Sequence, residues 1–367
     1  MDVKLDTLPF DRADLERYLS ALRRQPVQAL ALSELDGEDG SDALKGYGYG
    51  VPLLIECRCG DQDERFVLHT VSRSGFGHER ASDRAANLLL DHATFNHLPG
   101  HVPSLDVGAF DAHDGLISLG SAGEFFHLTR YAPGKPYAAD LHRISDASEL
   151  ATQDLDRALA LADYLAEIHA VKYTDALLYR RRIRDLVGHG EGIAGLVDSY
   201  PADFNVAPPG RLQAIEERCV AWRWRVKEAT HRLSQVHGDF HPWNVLFEEG
   251  TSFSLLDRSR GAWGEPADDV SSMTLNYVFF SLRGSGALED LFLRLYSAFW
   301  DRYLSVTEDD ELLTVVQPFF AWRALVLASP VWYPSLRPPV REALLRFAEN
   351  VLETDRFDPD ETDAYLR

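Results

Sequence analysis

Val236-His237-Gly238-Asp239-Phe240-His241-Pro242-Trp243-Asn244 sets a carboxylate and a carboxamide five residues apart, between two hydrophobic runs. Leu255-Leu256-Asp257 follows, its aspartate thirteen residues after Asn244, with the polar turn Glu248-Glu249-Gly250-Thr251 in between. Two aspartates and an asparagine on neighbouring strand ends suit phosphoryl transfer. Asp239 is the expected acceptor of a proton from an attacking hydroxyl. Asn244 and Asp257 offer the hard oxygen ligands that Mg²⁺ takes. The plain alternative is a strand, a loop and a strand whose Asp and Asn only make turns. It explains neither the second aspartate nor the run after it.

The stretch from Val236 to Asn244, with the later Asp257, resembles the H-G-D-x-H-x-x-N loop and strand-end aspartate of the aminoglycoside phosphotransferase and choline kinase superfamily. That family is the small-molecule branch of the protein-kinase-like fold. Gly264-Glu265-Pro266-Ala267-Asp268-Asp269-Val270 is similar to the family's G-D-P-x-x-D-hydrophobic run. The resemblance implies that Asp269 braces the catalytic loop through its backbone. Read from the residues alone, the same run is a helix N-terminus with acidic groups at its positive end. The resemblance covers residues 28–330, with its sharp motifs in 236–270. It implies an α+β, bilobal kinase-like fold. Residues 1–130 would hold an N-terminal helix and a small antiparallel nucleotide-binding sheet. Residues 131–367 would form a mainly helical lobe with the catalytic loop and the substrate site.

A chain of 367 residues, 45% of them hydrophobic, is long enough for two domains and a large core. Its net charge of −21 argues against general affinity for nucleic acid or anionic membranes and is compatible with a cationic substrate. Tyr179-Arg180-Arg181-Arg182-Ile183-Arg184 and Trp222-Arg223-Trp224-Arg225-Val226-Lys227 are basic with interleaved aromatics. They read as solvated faces or ion-pair partners rather than a nucleic-acid surface. Cys57 and Cys59 share one face of a strand, and a lone C-x-C is poor zinc spacing. Three cysteines make no disulfide framework, so free thiols in a reducing cytoplasm are expected. The N-terminus shows no apolar signal core. The most apolar stretch, Thr314 to Pro334, contains Pro318, Arg323 and Pro330 and suits a buried helix better than a membrane span.

Along the chain, Asp11 caps a helix with Leu15, Tyr18, Leu19 and Leu22 on one face. Strands are expected at Gln28–Leu35, Val51–Cys59 and Arg65–Val71, with a turn at Gly60-Asp61. A helix is expected over Glu79–Leu98 with Leu88, His92 and Phe95 on one side, and a further strand over Phe125–Tyr131. Leu155–Val171 reads as a helix ending in His169, which is similar to a family helix packed under the active site. A hydrogen-bonded structural role suits that histidine better than a catalytic one.

For the nucleotide, Gly46, Gly48 and Gly50 precede a strand and suit a phosphate-covering loop, since glycine lets backbone amides approach anions. A bulged hairpin packed by Tyr47 and Tyr49 explains them equally well. The family places a lysine on the third strand, paired with a glutamate on the next helix. Here His69 stands at that position, with Glu79 or Asp83 as candidate partner. Lys45, Arg73, Arg258 and Arg260 are other sources of positive charge. Arg258 and Arg260 can equally pair with Glu265, Asp268 or Asp269. The resemblance implies that the backbone around Thr129 and Tyr131 receives adenine.

The expected activity is transfer of the γ-phosphoryl group of ATP, with Mg²⁺ on Asn244 and Asp257, to a hydroxyl of a small molecule. Aminoglycosides, choline and amino sugars are acceptors of the family. Two alternatives stay open. His69 and the unusual Asp257-Arg258-Ser259-Arg260 leave room for a nucleotide-binding pseudokinase or scaffold. A kinase-like fold can also transfer AMP to a protein.

Overall fold

The computed structural model describes residues 9–34, 49–50, 52–111 and 115–367. The chain divides into two compact units, Met1–Thr129 and Arg130–Arg367. The first carries α1 (Arg12–Arg23), β1 (Val27–Glu34), β2 (Leu53–Cys59), β3 (Gln62–Leu68), α2 (Ala81–Phe95), β4 (Gly108–Asp111) and β5 (Gly115–Ser118). Asp11 caps α1 by accepting from the Asp14 amide, and the Asp14 side chain accepts from the Asp11 amide in return. Two orphan donors of the first turn are thereby satisfied.

The strands β1, β2 and β3 form an antiparallel sheet in that order, with Leu53 opposite Leu68 and Cys59 opposite Gln62. Gly60, at a φ of 60°, and Asp61 make the expected turn between β2 and β3. Leu15 and Leu19 of α1 pack with Val27, Ala29, Ile55, Cys57 and Cys59 to form the core of this unit. Cys57 and Cys59 do share a buried face, with Sγ atoms 3.7 Å apart.

Two strand expectations need correction. The third strand ends at Leu68, not Val71. Its partner β2 is preceded by Pro52, which has no amide to extend the ladder. No strand forms over 125–131, where every residue is exposed. Phe125 and Phe126 are adjacent, so the apolar residues do not alternate and no single face gathers them. A hairpin of β4 and β5, unread in the sequence, lies just upstream, with Phe110 opposite Leu116.

The second unit carries β6 (Lys135–Pro136), α3 (Tyr137–Ser145), α4 (Thr152–Ala170), α5 (Ala176–Gly188), α6 (Ile193–Asp198), α7 (Pro209–Val226), β7 (Ser234–Gln235), β8 (Val245–Phe247), β9 (Phe253–Leu255) and β10 (Trp263–Gly264). After these come α8 (Pro266–Gly284), α9 (Asp290–Thr307), α10 (Gln317–Ala328), α11 (Pro338–Leu352) and α12 (Thr362–Tyr365). Every residue of α8 from Pro266 to Leu282 is buried, so this helix is the axis of the core. Its Thr274 Oγ1 and Asn276 Nδ2 donate to the carbonyls of Val270 and Ser272, while Asn276 Oδ1 has no hydrogen-bond partner among the described residues. The helix α10 lies in the stretch expected to be a buried helix. No helix among the described residues is long and apolar enough to cross a membrane.

Two short antiparallel ladders frame the loop over 237–244. One pairs β7 with β10, Gln235 opposite Trp263. The other runs β6-β8-β9, with Val245 opposite Leu255. The mixed architecture expected from the resemblance, antiparallel sheets first and a mainly helical unit after them, is the one present.

Candidate active site

The loop from His237 to Asn244 joins β7 to β8. Gly238 has a φ of 87°, a left-handed conformation that L side chains rarely adopt. The turn is fixed from below by Asp269, in the first turn of α8. Its two carboxylate oxygens accept from the amides of His237 at 2.8 Å and Gly238 at 2.7 Å. His169 Nε2 lies 3.1 Å from the same carboxylate, while His169 Nδ1 is 2.7 Å from the Tyr303 hydroxyl. Burial pushes the Asp269 carboxyl up, but the His169 bond, the nearby histidines and the His237 amide outweigh it and hold it below its ordinary value. His169 is thus a packed, hydrogen-bonded residue at the end of α4, and Asp269 braces the loop.

The loop then closes on itself. The Asp239 carbonyl accepts from the His241 amide at 3.0 Å and from Nδ2 of Asn244 at 3.0 Å. The second bond fixes the orientation of the Asn244 amide and leaves its oxygen available as a ligand. Asn244 is also tied to Asp257 through register. Its carbonyl accepts from the Leu256 amide at 2.9 Å, continuing the β8–β9 ladder to the residue before Asp257. Asp257 is exposed, with a left-handed φ of 55° that aspartate tolerates better than most residues. Among the described residues, no group of three or more His, Cys, Asp or Glu is arranged to hold a metal ion. Asn244 and Asp257 supply one amide and one carboxylate oxygen. That donor set fits Mg²⁺, which keeps several waters and takes few protein ligands.

Asp239 itself has company that the sequence did not disclose. Its Oδ1 lies 2.6 Å from Nη1 of Arg323, on α10, and 2.8 Å from Nη1 of Arg260. Both guanidiniums lie over the Trp322 ring, at 4.1 and 4.6 Å from its centroid. Arg323 also reaches Asp268 Oδ1 at 2.7 Å, and the other oxygen of Asp268 takes Nη2 of Arg182 at 2.7 Å. Burial alone would raise the Asp239 pKa, yet the charges of Arg323 and Arg260 hold the carboxyl far below the usual range. His241 Nε2 stands 3.7 Å from Asp239 Oδ2. Burial lowers the His241 pKa to about 4, so its ring is neutral at pH 7.

The pairing of Arg258 and Arg260 with Glu265, Asp268 or Asp269 is therefore not what forms. Arg258 donates to the carbonyls of Val236 and Ala262, and Arg260 pairs with Asp239. Glu265 is occupied by Arg232 and by the Tyr179 hydroxyl. The basic run on α5 is spent in the same way. Arg180 pairs with Glu228, Arg181 with Asp185 and Arg182 with Asp268. Trp243 packs against His241, Phe280 and Tyr333, and Trp263 stacks on Tyr173.

In the first unit, Gly46 and Gly48 lie outside the described residues, as do Lys45 and Tyr47. Gly50 abuts the Thr70 carbonyl so closely that an added Cβ would sit 2.0 Å from its oxygen. Tyr49 meets the rings of Phe76 and His78 edge-on. His69 is exposed, just past the end of β3. Glu79 is buried ahead of α2, where its carbonyl accepts from Arg73 Nε at 3.2 Å. Asp83 accepts from the Arg80 amide at 2.8 Å and so caps α2. Thr129 and Tyr131 are exposed, outside any strand.

The sequence reading named Arg182 as an ion-pair partner and Arg323 within the apolar stretch, but missed that Arg323 reaches Asp239 and that both arginines hold Asp268. One signal was available for Arg323. It is the one cation in the most apolar stretch of the chain, and a buried charge demands a partner.

Solved structures similar to this chain include an amicoumacin kinase in complex with AMP-PNP, Ca²⁺ and Ami, at 14% identity, 96% coverage of this chain, 97% of that one and a TM-score of 0.39. A glucosamine kinase is similar at 18% identity, 93% and 89% coverage and a TM-score of 0.33. A choline kinase from Streptococcus pneumoniae is similar at 11% identity, 92% and 97% coverage and a TM-score of 0.34. No curated protein matches. The sequence profile described as "Phosphotransferase enzyme family" matches residues 58–305, from within β2 to the last turns of α9. The braced Asp239–Asn244 loop and Asp257 fall inside that span, and the chain belongs to the phosphotransferase enzyme family.

Proposed function

We propose that this protein transfers the γ-phosphoryl group of ATP to a hydroxyl of a small molecule. The observation that carries the reading is the loop itself. Asp239 and Asn244 are joined by a hydrogen bond, Asp257 follows in register, and Asp269 holds the backbone beneath them.

In this reading Asn244 and Asp257 hold Mg²⁺, which when bound neutralises charge on phosphate oxygens. Asp239 orients the acceptor hydroxyl and receives its proton late, as the bond to phosphorus forms. A carboxylate held far below its usual pKa is a weak base, and that suits a loose transition state in which alignment matters more than early proton removal. The protein's contribution is therefore placement and charge, not covalent chemistry. Gly46, Gly48 and Gly50 would cover the phosphates, Thr129 and Tyr131 would present backbone groups to adenine, and His69 and Glu79 would stand where relatives use lysine and glutamate. The acceptor is a metabolite or antibiotic alcohol.

The test is an ADP-release screen with Mg²⁺ against small hydroxyl metabolites and antibiotics, with Asp239→Asn as control. Release that depends on an acceptor and vanishes in the variant is expected. Equal release by both proteins sinks the assignment. His69, exposed where relatives use lysine, keeps a nucleotide-binding pseudokinase in view, which nucleotide binding without turnover across the panel would favour. The other rival of phosphoryl transfer is transfer of AMP to a protein. Intact-protein mass after incubation with ATP separates the two, since only AMP transfer adds a nucleotide-sized increment.

A further inference from the structure

We propose that Arg323 is a positioning residue for phosphoryl transfer, holding one oxygen of the Asp239 carboxylate so that the other is presented to the acceptor hydroxyl. The inference rests on the reading of Asp239 as the catalytic carboxylate. It adds a group from α10, eighteen residues beyond the end of the family match at 305.

The geometry makes the case. Arg323 forks between two carboxylates, with Nη1 on Asp239 Oδ1 at 2.6 Å and Nη2 on Asp268 Oδ1 at 2.7 Å. Asp268 cannot swing, because Arg182 holds its second oxygen at 2.7 Å. Arg182 in turn donates to the Arg260 carbonyl at 3.2 Å, and Arg260 returns to Asp239 Oδ1. Oδ1 is therefore clasped from two elements, α10 and the segment after β9. Among the described residues, Oδ2 receives no hydrogen bond. His241 Nε2 stands 3.7 Å from it, beyond bonding distance. The side chain keeps 12% of its surface exposed. A carboxylate free to rotate would present either oxygen, and this one is restricted to a single face.

Stability alone gives a poor reason for an arginine here. Arg323 is 6% exposed, and its Nε has no hydrogen-bond partner among the described residues. Desolvating a guanidinium is costly, and a well-packed apolar side chain of similar volume is often as stable or more so. A fork between two acids gives what an apolar residue cannot, a fixed direction for Asp239.

The experiment is steady-state ADP release from Mg·ATP with water as acceptor, which needs no identified substrate. Wild type, Asp239→Asn, Arg323→Met and Arg323→Lys are compared, with thermal midpoints recorded. Arg323→Met is expected to lower kcat about 100-fold while the KM for Mg·ATP stays within about twofold, the signature of lost alignment rather than lost binding. Arg323→Lys should recover part of the loss, about tenfold, because one ammonium can hold Asp239 but cannot fork. Active wild type, inactive Asp239→Asn and a normal kcat in Arg323→Met overturn the positioning role alone. If water supports no release, the same comparison is run with the panel of small hydroxyl metabolites and antibiotics. No release by wild type with water or with any of these sinks the phosphotransferase reading, and this inference with it. Should Arg323→Met fail to fold, Arg323→Lys and Asp268→Asn are read by the same criterion. Asp268→Asn removes the charge that steadies the fork and is expected to lower kcat at constant KM. If both leave kcat unchanged, the role is excluded.

Discussion

Asp269 carries three hydrogen bonds on one fully buried carboxylate, and two of them belong to the backbone of the turn at His237 and Gly238. Asp269→Ala strands two buried amides and is expected to cost about 3–5 kcal/mol, read as a lower urea midpoint. Asp269 also sets a pH dependence. Its folded pKa is depressed, so its contribution is complete above the unfolded value of 3.8 and is lost as pH falls through the folded one. Unfolding free energies measured from pH 7 down to 3 should therefore fall in wild type, and less steeply in Asp269→Asn. At the exposed Asp257, Asp257→Asn keeps a side chain that tolerates the left-handed backbone. It should leave the thermal midpoint unchanged while turnover falls about 100-fold. The brace was legible in the sequence because Asp269 sits at a fixed place in a motif. The clasp on Asp239 was not. Arg323 meets its partners across sequence separations of 84 and 55 residues, which no local spacing records.

Elements were read best where one face is buried. The first helix, its Asp11 cap and the turn at Gly60 follow from periodicity and turn chemistry. The half-buried positions of α2 include Leu88, His92 and Phe95, the side expected to face inward. Strand ends were read poorly, because pairing, not propensity, decides them. Leu68 is the last residue with a partner on β2, and 125–131 have no partner at all among the described residues. Gly50 gives this scale its prediction. Gly50→Ala drives a methyl into the Thr70 carbonyl, 2.0 Å away. Backbone must move, so a loss of about 1–3 kcal/mol is expected, measured by urea unfolding followed by circular dichroism. Little or no loss would show that the segment shifts freely.

For the whole molecule, the net charge of −21 and the pairing of the basic run on α5 argue the same way. The protein should pass through a heparin column at low salt, and salt-sensitive retention would contradict that reading. The two compact units also differ in their natural reporters. All seven tryptophans lie between Trp222 and Trp332, in the second unit. Two of the three buried thiols, Cys57 and Cys59, lie in the first. Burial, with Cys59 beside it, pushes the Cys57 thiol up to about 12, so it stays silent toward alkylating reagents while the sheet is closed. Indole fluorescence therefore follows the helical unit, and the pace of alkylation at Cys57 and Cys59 times the opening of the sheet. A single unlabelled sample, warmed or treated with denaturant, can show whether the two halves come apart together or in turn.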